Sequence, residues 1–252
     1  MMKNKIVTTL DGISMVVLYV LGSNLILAKQ GDKNVWWLLL VSILVACPFI
    51  YVYTLIIPRY EKNVDTLQYL DVIFGRFISN IIKIMYLYYF IMLGALVLRN
   101  YTEFIFLVSL NHTPKIITML LVMGLCNMGA YKDLAILGKL ATYAFLSLIL
   151  FIAMTMLLLE PQYKISNILP MFQIDMLSIT KSIIDDTTFP MLETVGFIFI
   201  LDKFMHKEKS RFVFFSGVIL GGVLLSIYIL VSLLVLGELT YQSTFFPIYR
   251  AM

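Results

Sequence analysis

Long apolar blocks alternate with short polar and charged segments from one end of this chain to the other. Seven blocks approach the roughly 20 helical residues that a bilayer core requires: Ile13–Lys29, Val35–Ile57, Ile78–Leu110, Ile116–Tyr131, Leu134–Leu159, Leu177–Leu201 and Phe212–Leu236. The third is long enough to tilt or to project beyond the bilayer. The fourth is short, and Gly124 and Gly129 suit it to close packing. Pro48 predicts a kink in the second. Two blocks are interrupted: the first by Leu21-Gly22-Ser23-Asn24, the sixth by Asp185-Asp186-Thr187-Thr188-Phe189-Pro190. Lipid offers no partner to an exposed backbone N–H or C=O, so such breaks are tolerated where they line a cavity. A matched pair in the two halves of a chain points to a solute site at the bilayer midplane.

The expected fold is therefore all-α and integral to the membrane, an inverted-repeat, transporter-like bundle with its first and sixth helices broken. Residues 1–252 form a single polytopic domain. In this scheme the breaks open the two repeats, and the second repeat is truncated after its second helix. The stretch from Glu238 to Met252, with Tyr241, Phe245, Phe246 and Pro247, predicts a folded external loop. Such a loop should lead into another helix, so the chain is expected to be a fragment or a shortened product.

Composition bounds the class. The 252 residues are 61% hydrophobic and 13% charged, against about 45–50% and about 25% in soluble domains. With the amino terminus inside, cytoplasmic segments hold Lys3, Lys5, Arg59, Lys62, Arg76, Lys132, Lys139, Lys203, Lys207, Lys209 and Arg211. The outer segments hold only Lys29, Lys33, Lys115, Lys164 and Arg250. That bias follows the positive-inside rule, and seven crossings put the carboxyl terminus outside. The net charge of +4 gives no reason to invoke nucleic acid. Cys47 and Cys126 lie in separate spans and read as buried structural thiols. With only His112 and His206 beside them, no metal spacing exists. No nucleophile–base pattern or phosphate loop is visible, which argues against an enzyme, and no cofactor is expected.

The breaks suggest chemistry of their own. Backbone N–H groups near Ser23 and Asn24 begin the outer half of the first span and are expected to favour a carboxylate. Carbonyls near Asp186 and Thr187 end the outer half of the sixth and suit an ammonium. An α-amino acid carries both groups. The alternative is that Gly22 and Ser23 are simply small packing residues.

The order of motifs resembles the spore germination proteins of the amino acid/polyamine/organocation superfamily, the permease-like B subunits of nutrient germinant receptors. The matching stretches are Leu21-Gly22-Ser23, Trp36, Gly94-Ala95-Leu96-Val97-Leu98-Arg99 with Glu103, Asn167-Ile168-Leu169-Pro170, Phe189-Pro190-x-x-Glu193, Leu236-Gly237 and Phe246-Pro247. They run in order over essentially the whole chain, which lacks the family's last helices. The resemblance implies a receptor subunit in the spore inner membrane, binding a small nutrient, typically an amino acid. It would work beside an A subunit and a lipoprotein C subunit. With it, the candidate ligand-binding set is Gly22, Ser23, Asn24, Val97, Thr187, Thr188, Phe189, Pro190 and Glu193.

Glu193 sits where hydrocarbon makes a carboxylate costly, so it should face a cavity or a partner. An ammonium contact, a protonatable coupling group and a structural bond to the broken span all remain open. Arg99 and Glu103, four apart on one helix face, read as a surface ion pair, with a gate as the alternative. Lys83 is expected to snorkel. Lys181 is placed to pair with Asp185. Gly217-x-x-x-Gly221, with Gly222 beside it, permits a close helix crossing. Tyr86, Tyr88 and Tyr89 read as a packed interface. Two functional classes remain: a nutrient sensor that signals to partner subunits, and a proton- or sodium-coupled amino acid transporter. An inactive truncated homologue is the third possibility.

Overall fold

The computed structural model describes residues 7–27, 33–56, 66–171, 175–203 and 209–252. Lys3, Lys5, Lys29, Arg59, Lys62, His206 and Lys207, which enter the charge and metal readings above, lie outside the described residues. Among the described residues the secondary structure is helical throughout, with no strand element. The helices are α1 (Thr9–Leu21), α2 (Asn24–Leu27), α3 (Val35–Ile56), α4 (Thr66–Val108), α5 (Lys115–Ala130), α6 (Leu134–Leu159), α7 (Met176–Asp186), α8 (Ser210–Leu236), α9 (Glu238–Ser243) and α10 (Pro247–Ala251). A widened turn over Thr187–Met191 and a tightly wound segment over Leu192–Lys203 follow α7.

Among the described residues, four helical stretches are long and apolar enough to cross a membrane: Val35–Leu55, Leu70–Val108, Leu134–Gln162 and Ser210–Leu236. Thr9–Leu21 and Lys115–Ala130 are apolar but shorter. The first is cut short at Gly22. The second spans roughly 24 Å at about 1.5 Å per residue, less than a hydrocarbon core of about 30 Å. Helix α3 continues through Pro48. Helix α4 breaks at Gly75, whose φ of 72° only glycine adopts without strain. Lys83, read above as a snorkelling cation, spans that break to Asp71 at 2.7 Å. Lys181 and Asp185 are both exposed and form no ion pair among the described residues.

The core is built on α8, with α1 and α3 packed against it. A Cβ on Gly217 would lie 2.5 Å from Cβ of Val16, and one on Gly221 2.9 Å from Cβ of Val20. Only hydrogen fits in that seam, so α1 and α8 meet nearly backbone to backbone. Gly222 makes room for Ile43 of α3 and for Met191. The α3 contact is secured by Ser226, which donates to the Trp36 carbonyl at 2.6 Å.

The other end of α1 is fastened to α6. Thr8 and Asp11 form a capping box, with the Asp11 N–H donating to the Thr8 hydroxyl oxygen at 3.2 Å and the Thr8 N–H donating to the Asp11 carboxylate at 3.3 Å. Thr142 of α6 donates to the second Asp11 oxygen at 2.8 Å. This aspartate is buried, and its carboxylate is satisfied by both helices.

The Asn167-Ile168-Leu169-Pro170 stretch latches the last turn of α8. Leu234 O accepts from Asn167 Nδ2 at 2.8 Å and from the Lys164 N–H at 3.1 Å. Beyond Gly237, α9 and α10 fold back onto α8, and α10 also covers α2. Phe104 of α4 meets Phe246 and Tyr249 edge-on, at 5.3 and 5.8 Å.

Candidate functional site

The interruption in α1 follows from one residue. Gly22 has φ 35° and ψ −133°, and its N–H closes α1 on the Leu18 carbonyl at 2.8 Å. A Cβ there would sit 2.9 Å from the Tyr19 carbonyl oxygen, so the turn demands glycine. The groups freed by the break are met by side chains. Asn24 Nδ2 caps the Val20 carbonyl at 3.2 Å. From α4, Tyr101 donates to the Gly22 carbonyl and Asn100 Nδ2 to Ser23 Oγ, both at 3.3 Å. The described part of α2 that follows runs over Asn24–Leu27.

The second interruption arises at Phe189, which is extended (φ −132°, ψ 120°) ahead of Pro190. A proline pushes its predecessor out of helical geometry and offers no N–H of its own. Thr187 is buried and donates to the Ser42 carbonyl of α3 at 3.4 Å. Its own carbonyl accepts the Leu192 N–H. Thr188 bonds back to Ile184 at 2.8 Å. Thr194 shares a 2.8 Å hydrogen bond with Tyr53 of α3. The second break is thus tied to α3 on one side, and the Thr187 carbonyl keeps one acceptor site beyond its bond from Leu192.

On the other side, both breaks border one cavity of about 590 Å³. From α1 and the first break it takes Leu18, Tyr19, Gly22, Ser23 and Asn24; from the second, Phe189 and Glu193. Helix α4 supplies Phe90, Leu93, Gly94, Val97, Leu98 and Tyr101, and α5 supplies Val122 and Cys126. Of the sequence candidates, Gly22, Ser23, Asn24, Val97, Phe189 and Glu193 line this cavity. Thr187, Thr188 and Pro190 are not among its lining residues.

The wall is mainly apolar, with no lysine or arginine among the described lining residues. Among them Glu193 is the single carboxylate. It is half-buried and accepts a hydrogen bond from Tyr89 of α4 at 2.9 Å. The Tyr19 hydroxyl is buried without a partner among the described residues; its ring leans edge-on against Phe197 at 5.1 Å. A carboxylate oxygen and aromatic faces form a receptive surface for a cationic or amine-bearing solute. Arg99 and Glu103 do meet, at 3.3 Å, but on the exposed face of α4 and outside the cavity.

Sequence reading overlooked Tyr19, Asn100 and Tyr101, and took Tyr89 for interface packing. The signal was present in α4: Phe90, Leu93, Gly94, Val97, Leu98 and Tyr101 recur at helical spacing and mark one face. What that face meets depends on residues a hundred positions away.

Comparison with known proteins follows from the same residues. The family model described as Spore germination protein matches residues 6–252. The chain is 22% identical over 237 residues to Spore germination protein KB of Bacillus subtilis (strain 168), covering 92% of this chain and 63% of that protein. It is 24% identical over 178 residues to Spore germination protein YndE of the same strain, covering 70% of this chain and 47% of that protein. The chain therefore spans less than two thirds of the length of either relative. No solved structure matches it significantly.

Proposed function

Because this chain belongs to the spore germination protein family, a family of membrane proteins, we propose that it is a germinant receptor subunit. In this reading it binds a small nutrient, an amino acid, in the cavity at the two breaks and passes the event to partner subunits. Those partners are a multi-span A subunit and a lipoprotein C subunit. The fold this implies is an inverted-repeat bundle with its first and sixth helices broken.

The observation that carries the reading is the shared cavity. Gly22–Asn24 and Phe189 face it from different ends of the sequence, and Glu193 presents a half-buried carboxylate to it. Glu193 takes the ammonium, with Tyr89 orienting the carboxylate. The mainly apolar wall around Phe90, Leu93 and Val97 takes the side chain. Ser23 and Asn24, at the break, are the polar groups nearest in sequence to where the carboxylate would lie.

The test is binding of radiolabelled L-amino acids to the purified protein in lipid nanodiscs, alongside germination of a deletion strain. Saturable binding that Glu193→Gln weakens, with a nutrient-specific germination defect, supports the proposal. Absence of binding across the amino acids, or an unchanged deletion strain, refutes it. A transporter coupled to protons or sodium would use the same cavity, and Glu193 suits a coupling group. Uptake into liposomes driven by an ion gradient separates the two: a sensor binds without accumulating solute.

A further inference from the structure

A second cavity, also of about 590 Å³, lies on the α6 side of the first break. Leu21, Leu25, Ala144, Ser147, Leu148 and Phe151 line it alone, while Leu18, Gly22 and Tyr101 belong to both cavities. Leu18 and Gly22 are part of α1 and its break. Tyr101 is the one shared residue contributed by α4, and it reaches the break through its hydroxyl bond to the Gly22 carbonyl at 3.3 Å. Its ring therefore borders two apolar cavities, the second of them open on the α6 side, where Ala144, Ser147 and Phe151 are exposed.

We propose that Tyr101 is the partition that sets how long a solute the α5-side cavity accepts, making it a specificity-determining residue of the site. This rests on the binding role proposed above. An apolar tail growing away from Glu193 is limited on the break side by the Tyr101 ring. With a small side chain at position 101, the two chambers join and the tail extends towards α6. The bond to Gly22 fixes the ring in place but does not create the wall. The ring alone, as in Tyr101→Phe, should keep the limit. Asn100 continues to hold Ser23 from the next position on α4, so the break retains an anchor when Tyr101 is changed.

The test measures affinities of two unbranched series in nanodiscs: alanine, 2-aminobutyrate, norvaline and norleucine, and the n-alkylamines from methyl to octyl. In the wild type, affinity should rise roughly three- to fourfold per methylene until the tail meets the ring, then fall. Tyr101→Ala should move that cut-off to longer members and bind the longest at least about tenfold tighter, through two or more additional buried methylenes. Tyr101→Phe should keep the wild-type cut-off. Ser147→Phe, which fills only the α6-side chamber, should leave the wild type unchanged but restore the short cut-off in the Tyr101→Ala background. Tyr101→Leu replaces the alanine variant if that protein is not monodisperse. An unmoved cut-off in a folded Tyr101→Ala or Tyr101→Leu protein overturns the partition while leaving the binding role intact. Failure of the wild type to bind either series overturns both.

Discussion

Tyr89→Phe isolates one hydroxyl. In the wild type that hydroxyl donates to Glu193 Oε1 at 2.9 Å, across an interface between α4 and the segment after the second break. A hydrogen bond to a charged group is worth about 1.5–3 kcal/mol, and part of this should appear in solute affinity because Tyr89 aims the carboxylate. The expected loss for Tyr89→Phe is about tenfold in Kd, or about 1.4 kcal/mol. Glu193→Gln removes the charge that faces the ammonium and should lose about thirtyfold or more. The decisive quantity is the double variant. If Tyr89 acts through Glu193, the Tyr89→Phe, Glu193→Gln protein should bind within about twofold of Glu193→Gln alone, leaving a coupling energy near 1 kcal/mol. The assay is equilibrium binding of one labelled amino acid to all four proteins in nanodiscs, with monodispersity and thermal unfolding as folding checks. Strictly additive losses would show that Tyr89 contributes independently of the carboxylate. Wild-type affinity in Glu193→Gln would remove Glu193 from the binding surface and return it to the scaffold.

Gly217→Ala should lower stability by about 1–3 kcal/mol, seen as a drop in apparent Tm, and Val16→Ala should not rescue it because the clashing Val16 Cβ remains at 2.5 Å. Gly222→Ala clashes instead with the Ile43 Cδ1 tip at 2.6 Å, so Ile43→Ala should recover much of its loss; equal rescue of both glycine variants would refute the backbone-contact account of the α1–α8 seam. Asn167→Ala should cost about 1 kcal/mol and speed amide exchange at Lys164 and Gly237, next to the carbonyl that Asn167 caps; unchanged exchange would show that the latch is dispensable. In a Cys47→Ser background, Cys126 lines the cavity wall and its maleimide labelling should slow severalfold when a binding amino acid saturates the protein, whereas an unaffected rate would place the solute elsewhere.

Local chemistry made the two interruptions legible. Gly22 and the Phe189-Pro190 pair are residues whose own backbone restrictions end a helix wherever they are placed. The helical seam of Gly217 and Gly221 was legible for a different reason, since small residues one turn apart let two helices approach closely. Orientation was not. Thr187 and Thr188 read as site residues because they flank the bend, yet one turns to the Ser42 carbonyl and the other to Ile184. That choice depends on how α7 packs on α3, and no local pattern encodes it. Tyr89 looked like one of three tyrosines in a packed helix, and only contact with a residue 104 positions away distinguishes it from the exposed Tyr88. Lys83 was read only as a snorkelling cation, whereas the turn at Gly75 brings Asp71 to within 2.7 Å of it.

The split at Gly22 also divides α1 mechanically. The long piece is welded to α8 along Val16 and Val20 and bolted to α6 through Asp11. The short piece is gripped chiefly by α10, with Tyr101 and Asn100 of α4 holding the joint itself. The chain thus turns at Gly22 between two sets of neighbours, which themselves meet where α10 packs on α8. A solute bound in the cavity, as proposed, would press on residues to either side of that turn at once. Only the part of its binding energy that differs between two settings of the turn could shift it. The carboxylate of Glu193, mounted on neither piece of α1, would be the point from which such a shift is measured.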